Sequence, residues 1–158
     1  MNSENIWYRE CTPGRSFILK ILPGKSLVEG FQQFLAREHI HSAVIVSAIG
    51  SVRNVSLSDI KSGAKLPITA PRLSPHVIEG PLELLGLTGN IVPGENESSD
   101  RHLHIMASKS SGEVIGGHML DAEVFASCEI VLTELLISGV DRHLSRTAGT
   151  STLFIREE

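Results

Sequence analysis

Arg101-His102-Leu103-His104-Ile105-Met106-Ala107-Ser108-Lys109-Ser110-Ser111-Gly112-Glu113-Val114-Ile115-Gly116-Gly117-His118-Met119-Leu120 reads as two strands joined by a tight turn. Residues 101–107 and 113–120 alternate on either side of Lys109–Gly112, the pattern of a β-hairpin. A three-residue loop ending in glycine is a common hairpin connection, built from a type I turn and a glycine bulge. Here that loop is Ser110-Ser111-Gly112. Lys109 then faces the bulge, Ser108 faces Val114, and counting back places His104 directly across from His118. His102 and His104 are two apart and share a face. Facing Cβ atoms lie about 4.5–5.5 Å apart, so three of the seven histidines project together. A slip of one residue would send His118 to the other face.

Imidazole nitrogen is a good ligand for zinc and other first-row divalent ions. Three histidines with an open fourth position suit a catalytic or exchangeable site better than a closed structural one. His102, His104 and His118 are therefore the candidate ligands of one divalent metal, zinc foremost. The competing reading is a polar cleft of satisfied or interface histidines. Gly116-Gly117 leaves room for close approach to His118.

Working outward, residues 16–22 form a predicted strand stopped by Pro23-Gly24. Ser26 and Glu29 make a capping box. Leu27, Phe31, Phe34 and Leu35 then recur at helical spacing, predicting a helix over 27–38. Residues 43–49 read as a buried strand ending at Gly50, and 52–59 as a second one pairing with it. Residues 61–76 look like a long loop, 82–92 a strand interrupted by Gly86 and Gly89, and 93–100 a polar loop. A long β-rich segment over 124–136 and a last strand over 150–155 follow. One helix and about seven strands predict an α+β fold: a mostly antiparallel, curved sheet with one main helix packed on it. The expectation is a single domain over 1–158 with its core at about 17–155.

Charged residues make up 20% of the chain and hydrophobic ones 41%, an ordinary globular balance. The net charge of −4 speaks against a dedicated nucleic-acid binder, which shows a basic balance or stripe. The mixed stretch 141–146, Asp-Arg-His-Leu-Ser-Arg, reads as a solvated loop. Cys11 and Cys128 do not make a disulfide framework, and Cys128 reads as core. Met1–Trp7 lacks the pattern of a signal peptide, and no apolar run reaches membrane length. A cytoplasmic location and no membrane partner are expected. Gly24-Lys25-Ser26 lacks the upstream glycine of a phosphate loop. Glu83 and Glu134 sit in apolar strand surroundings. Each is a candidate partner for a basic group, and Glu83 a candidate carboxylate beside the metal. No catalytic residue and no organic cofactor site stand out.

His102-Leu-His104-Ile, the Ser-Gly turn and Val114-Ile-Gly116-Gly117-His118-Met-Leu120 together resemble the signature hairpin of the plants-and-prokaryotes-conserved (PPC) domain. Leu22-Pro-Gly24 before a capped helix, Ala48-Ile-Gly50-Ser51-Val52, Gly80-Pro-Leu-Glu83-Leu-Leu85 with Thr88-Gly89, and the segment 123–134 extend the likeness to nearly the whole chain. The resemblance implies an α+β domain that assembles as a homotrimer. In plants the domain follows an AT-hook, an Arg-Gly-Arg-Pro-type element for the minor groove of A·T-rich DNA. Stand-alone prokaryotic members usually carry a DNA-binding label. The 158 residues contain no such element. Gly80-Pro81-Leu82-Glu83-Leu84-Leu85 stands where the plant partner-contact motif reads Gly-Arg-Phe-Glu-Ile-Leu, with proline for arginine and the glutamate kept. The implied function is a trimeric module associated with DNA or transcription, without an AT-hook and with a three-histidine metal site. The alternative is a metal-dependent enzyme or small-ligand binder, and DNA as a partner gains nothing from the charge.

Overall fold

The computed structural model describes residues 6–95 and 99–156. Among them lie eight strands and one α-helix: β1 (Thr12–Ile21), α1 (Leu27–Glu38), β2 (Ala43–Ile60), β3 (Leu73–Ile78), β4 (Leu82–Pro93), β5 (Ser99–Ser108), β6 (Val114–Leu136), β7 (Val140–Leu144) and β8 (Ser151–Ile155). Six strands form one antiparallel sheet in the order β1-β6-β5-β4-β2-β3, and β6 also pairs with β2. The pairings β2–β4–β5–β6–β2 therefore close a ring, which leaves these strands no free edge.

Two strands make that closure. β6 runs for 23 residues and β2 for 18. β6 pairs with β5 over Val114–His118 and with β2 from Met119 to Glu134. Such lengths require bending, and the pairing slips at Gly50 and at several other places along β2. Gly50 has φ +144°, and a Cβ there would lie 2.1 Å from the Ser127 carbonyl oxygen. Only glycine lets the two backbones pass that closely.

α1 begins at Ser26. Its Oγ accepts a hydrogen bond from the Glu29 amide at 3.0 Å and donates to the Asp121 carboxylate, which also accepts from the Val28 amide at 3.1 Å. Two of the first amides of the helix are thus satisfied, one by the cap and one by β6. Leu27, Phe31 and Leu35 turn inward and are buried with Ile45, Leu57, Leu87, Ile105, Ile130 and Leu132 in one aliphatic core. His39 closes the helix in the left-handed conformation.

The expected α+β class is overturned. The helix lies over Leu27–Glu38 as the spacing predicts, but it is a single 12-residue element on a β-dominated fold. Gly50, read as a strand end, is a bend within β2, so 43–49 and 52–59 are one strand. β6 likewise runs from Val114 to Leu136 straight through the break expected between 113–120 and 124–136. Residues expected as loop add more strand. The segment 61–76 contains most of β3, and 141–146 contains most of β7. The polar loop expected over 93–100 lies partly outside the described residues. The β7–β8 hairpin packs on β4. Its far end is tied to the 61–72 loop by the Ile68 amide donating to the Ala148 carbonyl at 2.7 Å. Among the described residues no helix is long and apolar enough to cross a membrane.

Candidate metal centre

The hairpin register follows the turn arithmetic. Ser108 faces Val114 and His104 faces His118. The turn closes through the Lys109 amide donating to the Glu113 carbonyl and the Gly112 amide to the Lys109 carbonyl, both at 2.9 Å, with Gly112 at φ +83°. Leu103 and Ile105 point into the core, so His102 and His104 point out of it. The three imidazoles converge there, with ring centroids 5.0, 5.3 and 5.4 Å apart. The Nε2 atoms of His102 and His104 stand 3.2 Å apart, and one nitrogen from each ring lies within 4.8 Å of the others. Tetrahedral zinc with bonds of 2.0–2.1 Å separates its ligand nitrogens by about 3.3 Å. Three imidazole nitrogens gathered this closely suit a divalent ion of the zinc class.

The surroundings favour the ligand form. Burial pulls His102 and His118 below the ordinary imidazole range. For His102 the charge of Arg142 adds to this, followed by His104 and His118. For His118 the second cause is His104, while Asp59 opposes and Arg142 adds. Neutral imidazole is the form that binds metal.

Two residues near the centre were not singled out in the sequence. Asp59, on β2, accepts a hydrogen bond from the His118 amide at 2.9 Å. A Cβ on Gly117 would lie 2.1 Å from that carboxylate oxygen, so the glycine makes the space for it. Asp59 reaches β6 through the ring closure, a pairing that no local pattern announces. Arg142, expected in a solvated loop, is only 3% exposed and donates through Nη2 to the Asn90 side-chain carbonyl at 2.5 Å. Asn90 is the register partner of His102. Val140-Asp-Arg-His-Leu144 shows no apolar/polar alternation, because an arginine takes the inward position after Val140, so the sequence carried no strand signal here.

Glu83 lies elsewhere. It pairs with Ser108, four residues along β5 from His104, on the order of 13 Å away. Glu134 has a basic partner, accepting from Arg15 Nε at 2.9 Å, and its carboxyl is held below the usual range chiefly by that bond. Cys128 is fully buried and its thiol is pushed up to about 11 by burial, which leaves it protonated and inert.

The family model of the Plants and Prokaryotes Conserved domain matches residues 8–136. The fold is similar to that of a metal-containing protein from Archaeoglobus fulgidus, with 31% identity, TM-score 0.79, and coverage of 97% of this chain and 100% of that one. It is also similar to a plant- and prokaryote-conserved protein from Pyrococcus horikoshii, with 25% identity, TM-score 0.77 and coverage of 90% and 95%. AT-hook motif nuclear-localized protein 29 of Arabidopsis thaliana is 30% identical over 118 residues, 75% of this chain and 38% of that protein. The chain spans between 21% and 38% of the length of the curated relatives it matches. With a match over most of its length and the hairpin that the resemblance rested on, the chain belongs to the Plants and Prokaryotes Conserved domain family.

Proposed function

We propose that this protein is a homotrimeric member of its family built around a divalent-metal centre, zinc at His102, His104 and His118, that binds a small ligand. The observation that carries the reading is the convergence of three imidazole nitrogens within 4.8 Å on the outer face of one hairpin. The metal-containing relative from Archaeoglobus fulgidus supports it at 31% identity. His102 and His104 are held by one strand and His118 by the next. Asp59 fixes the His118 backbone, so the three donors are set in advance. A bound ion there supplies Lewis acidity or a water of lowered pKa. Uncovered apolar side chains support self-association, among them Ile18, Val46, Ile49 and Phe125. A role on DNA accords with the name of the plant relative. However, this sequence holds no AT-hook, and its net charge is −4.

Metal analysis of untagged protein tests the reading. About one zinc per chain is expected after loading and desalting, and none in His104→Ala, whose circular dichroism stays native because the turn rests on Gly112 and the core on the opposite face. Wild-type protein that takes up no divalent ion in titration rejects the centre.

A further inference from the structure

Arg142 differs from exposed arginines elsewhere in the fold. Arg15, Arg53 and Arg156 each pair with a carboxylate, from Glu134, Glu123 and Asp141. Arg142 is buried, yet no carboxylate of the described residues lies within ion-pair reach of it. Its Nε has no hydrogen-bond partner among them. Burial disfavours the charged guanidinium, and only the field of Asp100, which makes no ion pair with it, acts the other way. A buried guanidinium without a direct anionic partner is costly unless an anion is supplied. The guanidinium is also aimed: its bond to Asn90 anchors it beside the residue that faces His102.

We propose that the centre takes a small carboxylate anion and that Arg142 is the cation that receives it. The proposal rests on the metal reading above and names its ligand. Three neutral imidazoles leave the two positive charges of the ion uncompensated, and Arg142 adds a third. Asp59 and Asp100 are the carboxylates whose fields reach His118 and His102. One of them accepts from the His118 amide and the other from the Ser151 hydroxyl at 3.1 Å. Neither carboxylate makes an ion pair with Arg142, so a monoanion bound at the metal has a cation to meet there. A carboxylate matches the planar fork of a guanidinium and is also an oxygen ligand for zinc. The anion belongs on the histidine side of Arg142. The cleft on its other side, about 410 Å³, is lined by Glu95 and Asp100 and repels negative charge. Arg142 lies beyond the matched residues 8–136, so this cation belongs to the C-terminal hairpin of this chain.

The test uses untagged protein titrated with cobalt(II), whose visible spectrum reports its ligands, in the presence of acetate or pyruvate, with acetamide as the neutral control at constant ionic strength. A carboxylate should raise cobalt affinity by about tenfold and change the spectrum, with no response to acetamide. Arg142→Met should bind cobalt at least as well as wild type without acid, since a repelling charge is gone, and lose the acid effect to under twofold. Arg142→Lys should keep part of it. Asn90→Ala, which retains the guanidinium but frees it, should weaken the effect and guards against a misfolded Arg142→Met. Cobalt binding with no response to either acid overturns the proposal and leaves the metal centre standing. An acid effect undiminished in both Arg142→Met and Asn90→Ala removes Arg142 from the role. No cobalt uptake by wild type overturns the metal reading and this inference together.

Discussion

His102 and His118 carry the clearest chemical signature at the scale of single residues. Burial, then the charge of Arg142 on His102 and the neighbouring His104 on His118, disfavours their protonated forms, so the folded value of each lies below the free imidazole value of about 6.5. The sign follows from linkage. Between the folded value and about 6.5 the unfolded chain binds more protons than the folded one, so stability falls as pH drops through that window. Above about 6.5 both states are neutral and the contribution is complete. The metal-free protein should therefore hold a constant melting temperature from pH 8 to 7 and lose it below about 6.5, and a His102→Gln/His118→Gln variant should lose less over the same interval. A double variant that tracks wild type at every pH would show that the two rings are not held neutral. With zinc bound the decline should begin at lower pH, because protons must then displace an ion.

Single elements show where local pattern succeeds and where it stops. Gly50 bends β2 where Ser127 of β6 crosses it, with no room for a methyl group. Gly50→Ala should cost about 2–3 kcal/mol from backbone strain and overpacking, lowering the melting temperature by roughly 4–10 °C. A loss under one degree would mean that the crossing relaxes freely. The same glycine explains an error of reading. Along the chain, Gly50 looks like the end of a strand, because the partner that keeps the strand going lies some eighty residues away in β6. The hairpin of β5 and β6 was legible because its register depends on four turn residues and a parity count, and helix α1 because a cap and a 3.6-residue period lie within its own sequence. β7 was not legible. Its order comes from packing across β4, where Arg142 meets Asn90, and charged residues in a short run otherwise signal solvent. The same limit hid Asp59, whose place beside His118 exists only once the ring of strands has closed.

At the scale of the whole molecule, charge and uncovered apolar surface point to different partners. Ile18 is 79% exposed, Val46 61% and Ile49 54%, large apolar groups that a lone soluble chain tends to cover. Multi-angle light scattering on untagged protein should return the mass of three chains, and a mass of one or two would end the trimer reading. DNA makes the opposite demand. Phosphate binding needs clustered lysine and arginine, and it weakens steeply with salt as counterions return. Here Arg15, Arg53 and Arg156 are each committed to a carboxylate, Arg142 is buried, and the net charge is −4. The remaining basic residues are scattered along the sequence, so an assembly of three chains would multiply the acidic balance of each. Fluorescence anisotropy with an A·T-rich duplex at about 150 mM salt should give a Kd no tighter than about 10⁻⁶ M, the range of non-specific binding, with no preference over a G·C-rich duplex. Nanomolar binding that survives competitor DNA would require the trimer to gather basic residues from three chains onto one face, and the acidic balance would then be the wrong guide to its partner.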